Sequence, residues 1–130
     1  MHPKFLEIIE LFINSMPKLY SLGLITNGFM TDFIVGRVEK LAQVCQDRGI
    51  HLSLSVSVDG AEKMHEDIRR IPDAFKKSTA TLLAFKKMQQ KFKDISVGSG
   101  SLILKQNLFE LEKTEEWFKN NKIPLNFQIV

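Results

Sequence analysis

The segment Ile50 to Asp59 sets Leu52, Leu54, Val56 and Val58 on one side and Ser53, Ser55, Ser57 and Asp59 on the other. Strict alternation of this kind belongs to a strand with one apolar and one polar face. Its surroundings make the pattern restrictive. Phe5, Ile8, Ile9, Phe12, Ile13 and Met16 recur at helical spacing, with Pro17 helping to end the helix. Leu19 to Thr26 is short and apolar and runs into Asn27-Gly28, as a buried strand entering a turn does. A helix is predicted from about Thr31, its N-cap, to Arg48, with Ile34, Val38, Leu41 and Cys45 inward and Gly49 as its stop. After a loop through Pro72, Asp73 caps a helix reaching Phe92, with Phe75, Leu82, Phe85 and Phe92 inward. Ile95 to Leu104 reads as a strand. Asn107 and Glu110 have capping-box spacing for a helix ending near Asn121, and Leu125 to Val130 closes the chain as a strand.

Strands alternating with helices imply crossover connections and a parallel sheet. A parallel sheet covered on both sides has strands that are apolar on both faces, which the serine-bearing strand is not. The polar face therefore either faces water on an edge strand or lines a cavity, as in a barrel or half-barrel, where hydroxyl side chains leave room for a ligand and offer it hydrogen bonds; a strand lying between two others in sequence, with its other face fully apolar, favours the cavity. Gly98, Ser99, Gly100 and Ser101 in the following strand remove bulk from the same lumen.

Composition narrows the function. With 130 residues, 44% of them hydrophobic and 25% charged, the chain has the make-up of a single domain. The +3 charge comes from lysines interleaved with acids, with no basic block for nucleic acid. No signal-peptide pattern and no run of roughly 20 apolar residues occurs, so a cytoplasmic protein without membrane contact is expected. The lone cysteine, Cys45, forms no internal disulfide and no multi-thiolate metal site, and its stripe marks it as core.

The polar residues gather at strand ends, where barrels of this kind keep their chemistry. Thr26-Asn27-Gly28 ends the first strand, Ser57-Val58-Asp59-Gly60 the second and Lys105-Gln106-Asn107 the third. Asn-Gly and Asp-Gly are turn formers and Asn107 can be a plain cap, but three clusters on successive parallel strands converge on one site.

Thr26-Asn27-Gly28, Ser57-x-Asp59-Gly60, His65-x-x-x-Arg69, Phe75 and Asn107, in that order over nearly the whole chain, resemble the radical S-adenosylmethionine (SAM) enzymes. The likeness is to the branch of anaerobic sulfatase-maturating and peptide-modifying enzymes. In that family the second strand ends in Gly-Gly-Glu-Pro and often runs on as Leu-Leu-His-Pro, and here His2-Pro3 precedes the first helix. The resemblance implies that these strands are the third to sixth of a six-stranded, TIM-barrel-like half-barrel. The N-terminal strands and the Cys-x3-Cys-x2-Cys loop would be missing. It further implies SAM and a [4Fe–4S] cluster as cofactors of the full-length protein, generating a 5′-deoxyadenosyl radical that abstracts hydrogen from a peptide or protein substrate. This chain alone would be inactive, with no catalytic residue and no metal ligand of its own.

On this resemblance Thr26, Asn27, Ser57, Asp59, Arg69 and Asn107 are the SAM-binding candidates. Ser57 would bond the SAM carboxylate or ribose, Thr26 and Asn27 would line the same cavity, and Arg69 would pair with the carboxylate. Asp59 would touch SAM or orient the loop carrying Arg69. Asn107 would reach the ribose or cap its helix. His65 is expected to be a structural hydrogen-bonding residue on a loop, and Trp117 and Phe118 core or cover. Arg70 stands where the family often has glycine, a departure that bears on the backbone after Arg69. Loss of two strands would leave Leu19 to Thr26 as an apolar edge, favouring homo-oligomers.

Two other folds have this order of elements. A flavodoxin-like or receiver-type α/β module would need helices on both sheet faces and a ligand at a switch point, but no acidic pair or glycine-rich phosphate loop is present. An aldolase-type barrel fragment would need a placed lysine or a metal-binding His/Glu pattern, and none stands out.

Overall fold

A computed structural model describes residues 2–129. Helix α1 (Phe5–Ser15) leads into strand β1 (Ser21–Thr26), followed by α2 (Thr31–Arg48), β2 (His51–Ser57), α3 (Lys63–Arg69), α4 (Ala74–Lys91), β3 (Ile95–Ile103), α5 (Leu111–Asn120) and β4 (Leu125–Ile129). The final residue of the expected last strand, Val130, lies outside the described residues. The strands form one sheet in the order β1-β2-β3-β4, with every pair parallel. The α/β class with a parallel sheet is therefore as the alternation of patterns required.

The register explains the two-faced strand. Leu52, Leu54 and Val56 pair with Leu22, Leu24 and Thr26 on one side and with Ile95, Val97 and Ser99 on the other. This face meets the helices. Ile13 of α1, Val38 and Leu41 of α2, Leu82 and Phe85 of α4 and Phe118 of α5 join it in one core. Gly23, Ser53 and Ser96 share the opposite face, as do Ile25, Ser55 and Gly98, and further along Ser57, Gly100 and Asn126. On β2 that face is only half-buried, while its apolar neighbours are fully buried. A sheet wound in strict sequence order has no reversal point, consistent with its helices contributing to a single core on one face.

Several local expectations change. In α1, Ile13 is buried and Phe5, Leu6 and Ile9 pack on the core, but Ile8, Leu11, Phe12 and Met16 are exposed. The apolar stripe is wider than the surface available to cover it. Helix α2 starts at Thr31 with Met30 in the cap position and no side-chain cap. The Thr31 hydroxyl instead reaches α4, lying 2.8 Å from Thr81 Oγ1 and 3.4 Å from the Lys77 carbonyl. Gly49 ends α2 as expected, at φ 64°, with Ile50 N donating to the Cys45 carbonyl.

Asp73 occupies the N-cap of α4 but in a left-handed conformation and without a side-chain bond. The stretch read as loop contains α3, which carries His65. Asn107 and Glu110 form no capping box: a 3-10 turn over Leu108–Glu110 separates Asn107 from α5, and its amide bonds elsewhere.

Candidate functional site

The C-terminal ends of β1, β2 and β3 are tied together by one hydrogen-bonded network. At its centre is Asp59, 2% exposed, just past β2. Its Oδ1 accepts from Leu102 N at 3.1 Å, and its Oδ2 pairs with Arg69 Nη2 at 2.6 Å. Its backbone carbonyl accepts from Asn107 Nδ2 at 2.6 Å. Asn107, fully buried, also donates to the Leu102 carbonyl at 2.7 Å and accepts from Leu104 N at 2.7 Å. Both side chains spend their polar groups inside the protein. Asp59 and Asn107 thus fill the structural role that the sequence reading held open beside the ligand role for each. A backbone that leaves a parallel sheet has unpaired groups, and these two side chains satisfy them.

His65 extends the network to β1. Asp59 N donates to His65 Nδ1 at 3.0 Å, so the ring proton sits on Nε2, which faces Ser78 Oγ at 3.2 Å. Ser78 in turn donates to the Asn27 carbonyl at 2.7 Å. Burial lowers the His65 pKa from its ordinary 6.5 to about 4, opposed by the Asp59 charge and assisted by that of Arg69. The imidazole is a neutral strut, as its expected structural role required, but on a helix rather than a loop.

Gly28 shows why β1 ends in Asn-Gly. Its φ is +75°, and a Cβ there would sit 3.0 Å from Ser78 Cα and Val56 Cγ1. Its carbonyl accepts from Thr81 Oγ1 at 2.7 Å. The turn is pressed onto α4, which only glycine permits. Ser78 and Thr81 were not singled out from sequence, although two small hydroxyl residues lie among the inward positions Phe75, Leu82 and Phe85. That interruption was the available signal.

Thr26 does not share a cavity with Ser57. Its register partner is Val56 on the helix-covered face, and with Leu24, Ile34, Val38 and Phe85 it borders a small apolar void. Strand alternation decides this, since Thr26 and Ser57 pair with or occupy neighbouring positions of opposite orientation. Asn27 is exposed, its Oδ1 accepting from Phe29 N at 3.2 Å. Together with Thr26 it opens onto a cavity of about 540 Å³ lined also by Phe5, Ile25, Phe29, Met30 and Phe33.

Ser57 keeps the orientation expected of it. It is half-buried on the polar face beside Gly100, where a Cβ would meet nothing within 4 Å, and among the described residues no hydrogen bond engages its hydroxyl. Arg69 lies 29% exposed, one nitrogen on Asp59 and its Nε buried without a partner. A free hydroxyl, an open glycine floor and an incompletely satisfied guanidinium suit a polar, anionic ligand group.

A metal cluster fares differently. Among the described residues no group of three or more His, Cys, Asp or Glu side chains could hold a metal, and Cys45 is buried with its thiol pushed up to about 11 by that burial. This chain's residues do not fit an iron–sulfur cluster. No described helix is long and apolar enough to cross a membrane. Comparison with protein-family models, with curated proteins and with solved structures returns no match for the chain.

Proposed function

We propose that the chain is the SAM-facing wall of a radical SAM half-barrel, whose cluster would be held by residues outside this sequence. The observation that carries the reading is the open serine and glycine face, Ser53, Ser55 and Ser57 beside Gly98 and Gly100. A half-barrel places such a face inward, and small polar residues give a ligand both space and donors. Of the candidates, Ser57 and Arg69 would bond SAM and Thr26 and Asn27, which share one cavity, would line its site, with Asp59 and Asn107 as positioning residues behind them. Bound SAM would supply the reactive group, while these side chains orient its polar end. The parent would be a cytoplasmic enzyme acting on a peptide or protein.

The flavodoxin-like alternative fits less well, because a sheet ordered β1-β2-β3-β4 offers no switch point for a ligand.

The test is titration of the isotopically labelled chain with S-adenosylhomocysteine. Amide shifts at Ser57, Gly100 and Arg69 are expected, weakened by Ser57→Ala; saturating ligand without shifts there would overturn the reading. Reading the coding DNA upstream of Met1 for Cys-x3-Cys-x2-Cys and Gly-Gly-Glu-Pro tests the parent enzyme directly. Reconstitution of this chain with iron and sulfide should yield no 5′-deoxyadenosine.

A further inference from the structure

Three polar side chains meet at the other end of the sheet, where β2 and β3 begin. His51 Nδ1 lies 2.7 Å from Asp94 Oδ1, and His51 Nε2 lies 2.9 Å from Ser96 Oγ. His51 and Ser96 stand on the polar face, where Ser53 is the register partner of Ser96. His51 lies six residues before Ser57, about 20 Å along an extended strand, so this cluster is distinct from the network around Asp59.

The direction of the hydrogen bonds decides what the cluster can do. A carboxylate only accepts, so the Asp94 contact puts the ring proton of His51 on Nδ1 and turns the bare Nε2 lone pair toward Ser96. The Ser96 hydroxyl is then the donor. The pair of His65 and Ser78 has the opposite arrangement: Nδ1 accepts from Asp59 N, Nε2 carries the proton, and Ser78 donates away from the ring to the Asn27 carbonyl. His65 is a strut, whereas His51 is set as a base toward its serine.

The sheet holds all three residues in place. His51 N donates to the Tyr20 carbonyl at 2.9 Å, Leu52 N donates to the Asp94 carbonyl at 3.0 Å, and Ser96 lies within the β2–β3 ladder. Asp94 turns through the left-handed region at φ 59°, which aspartate enters more readily than most residues, and its carboxylate meets the ring there. The His51 and Asp94 side chains are 35% and 63% exposed, so a small molecule reaches the cluster from solvent.

We propose that Ser96, His51 and Asp94 form an acyl-transfer site for small carboxylic esters, with Ser96 the nucleophile, His51 the general base and Asp94 a positioning residue. Nucleophile, base and orienting group stand in hydrogen-bonded sequence, the geometry by which such triads are recognised on unrelated folds. Ser96 Oγ bonds to the ester carbonyl carbon as its proton passes to His51 Nε2. The bond from that carbon to the alcohol oxygen then breaks, and the alcohol leaves with the proton. Water, giving its proton to the same nitrogen, splits the acyl-serine and releases the acid. Ser53, about 4.8 Å away on the neighbouring strand, offers a hydroxyl donor to the developing oxyanion. The site uses no SAM, so its failure and that of the SAM reading are separable.

The experiment treats the purified chain with a fluorophosphonate, whose phosphorus takes the serine oxygen and expels fluoride, and separately follows 4-nitrophenolate release from 4-nitrophenyl acetate. Phosphonylation mapped to Ser96 by peptide mass spectrometry is expected, together with ester hydrolysis that Ser96→Ala abolishes. His51→Gln should slow both by about 100-fold, the usual contribution of a positioned base. Asp94→Asn should slow them less, with partial recovery in Asp94→Glu. Asp94 lies on the surface, so its variants keep the test decisive if His51→Gln fails to fold. An unlabelled Ser96, labelling there that is indifferent to both His51→Gln and Asp94→Asn, or hydrolysis that survives Ser96→Ala each overturns the proposal.

Discussion

Asn107 Nδ2 donates to the Asp59 carbonyl at 2.6 Å across 48 residues of sequence, clamping the exit of β2 to the exit of β3. The clamp explains two residues that otherwise resemble ligands. It also makes the strand ends stiff before any ligand arrives, which is what a positioning site needs.

Asn107→Ala should be among the most damaging substitutions in the chain. It removes three bonds of a fully buried amide and strands the Leu104 N–H and two carbonyls, a loss of about 3 kcal/mol. Urea denaturation measures it; a change below about 1 kcal/mol would show that the network is slack.

Stability should fall between pH 6.5 and 4 on account of His65. The unfolded imidazole takes up a proton near 6.5, whereas the folded one, held neutral by burial, does so only near 4. Across that window the unfolded state binds more protons, so stability is full above 6.5 and declines as pH drops, by about 3 kcal/mol in total. Denaturation midpoints at pH 7, 5.5 and 4.5 follow the decline, and His65→Gln should flatten this part of it.

Gly28 and Gly36 should respond oppositely to alanine. At Gly28 the positive φ and the 3.0 Å approach of Ser78 Cα make Gly28→Ala destabilising by about 2 kcal/mol. Gly36, in the middle of α2 with nothing within 4 Å of a new Cβ, should gain about 1 kcal/mol in Gly36→Ala. Thermal melts of the two variants on either side of the parent check the pair.

Arg70 adopts a left-handed conformation, φ 54°, directly after Arg69. An arginine there is strained where glycine is not, so Arg70→Gly should raise stability by about 1 kcal/mol while preserving the Asp59–Arg69 pair. A lowered melting temperature would mean that the Arg70 side chain contributes contacts that outweigh the strain.

Much of the fold was written locally. The period-two pattern from Leu52 to Val58 named both the strand and its two faces, and helical spacing marked α1, α2 and α4, while α5 was placed by a capping box that does not form. Such patterns are legible because burial is decided residue by residue along one element. α3 escaped notice because it is short and its inward residue is a histidine, which has no apolar signature. The orientation of Thr26 away from Ser57 was not legible, because a strand's last residue is oriented by the register with its neighbour, and register is a relation between strands.

By itself the sequence determined the order of the strands and of the helices other than α3, the parallel class, the polar face and the glycine turn at β1. Only the tertiary structure decided which polar groups near the strand ends remain free. Asp59, His65 and Asn107 satisfy backbone groups exposed where β2 and β3 leave the sheet; Asp59 reaches 43 residues to Leu102 N and Asn107 48 to the Asp59 carbonyl, while His65 bonds Asp59 N six residues off. No local pattern encodes that demand, because an unpaired N–H or carbonyl exists only once the chain has closed around it.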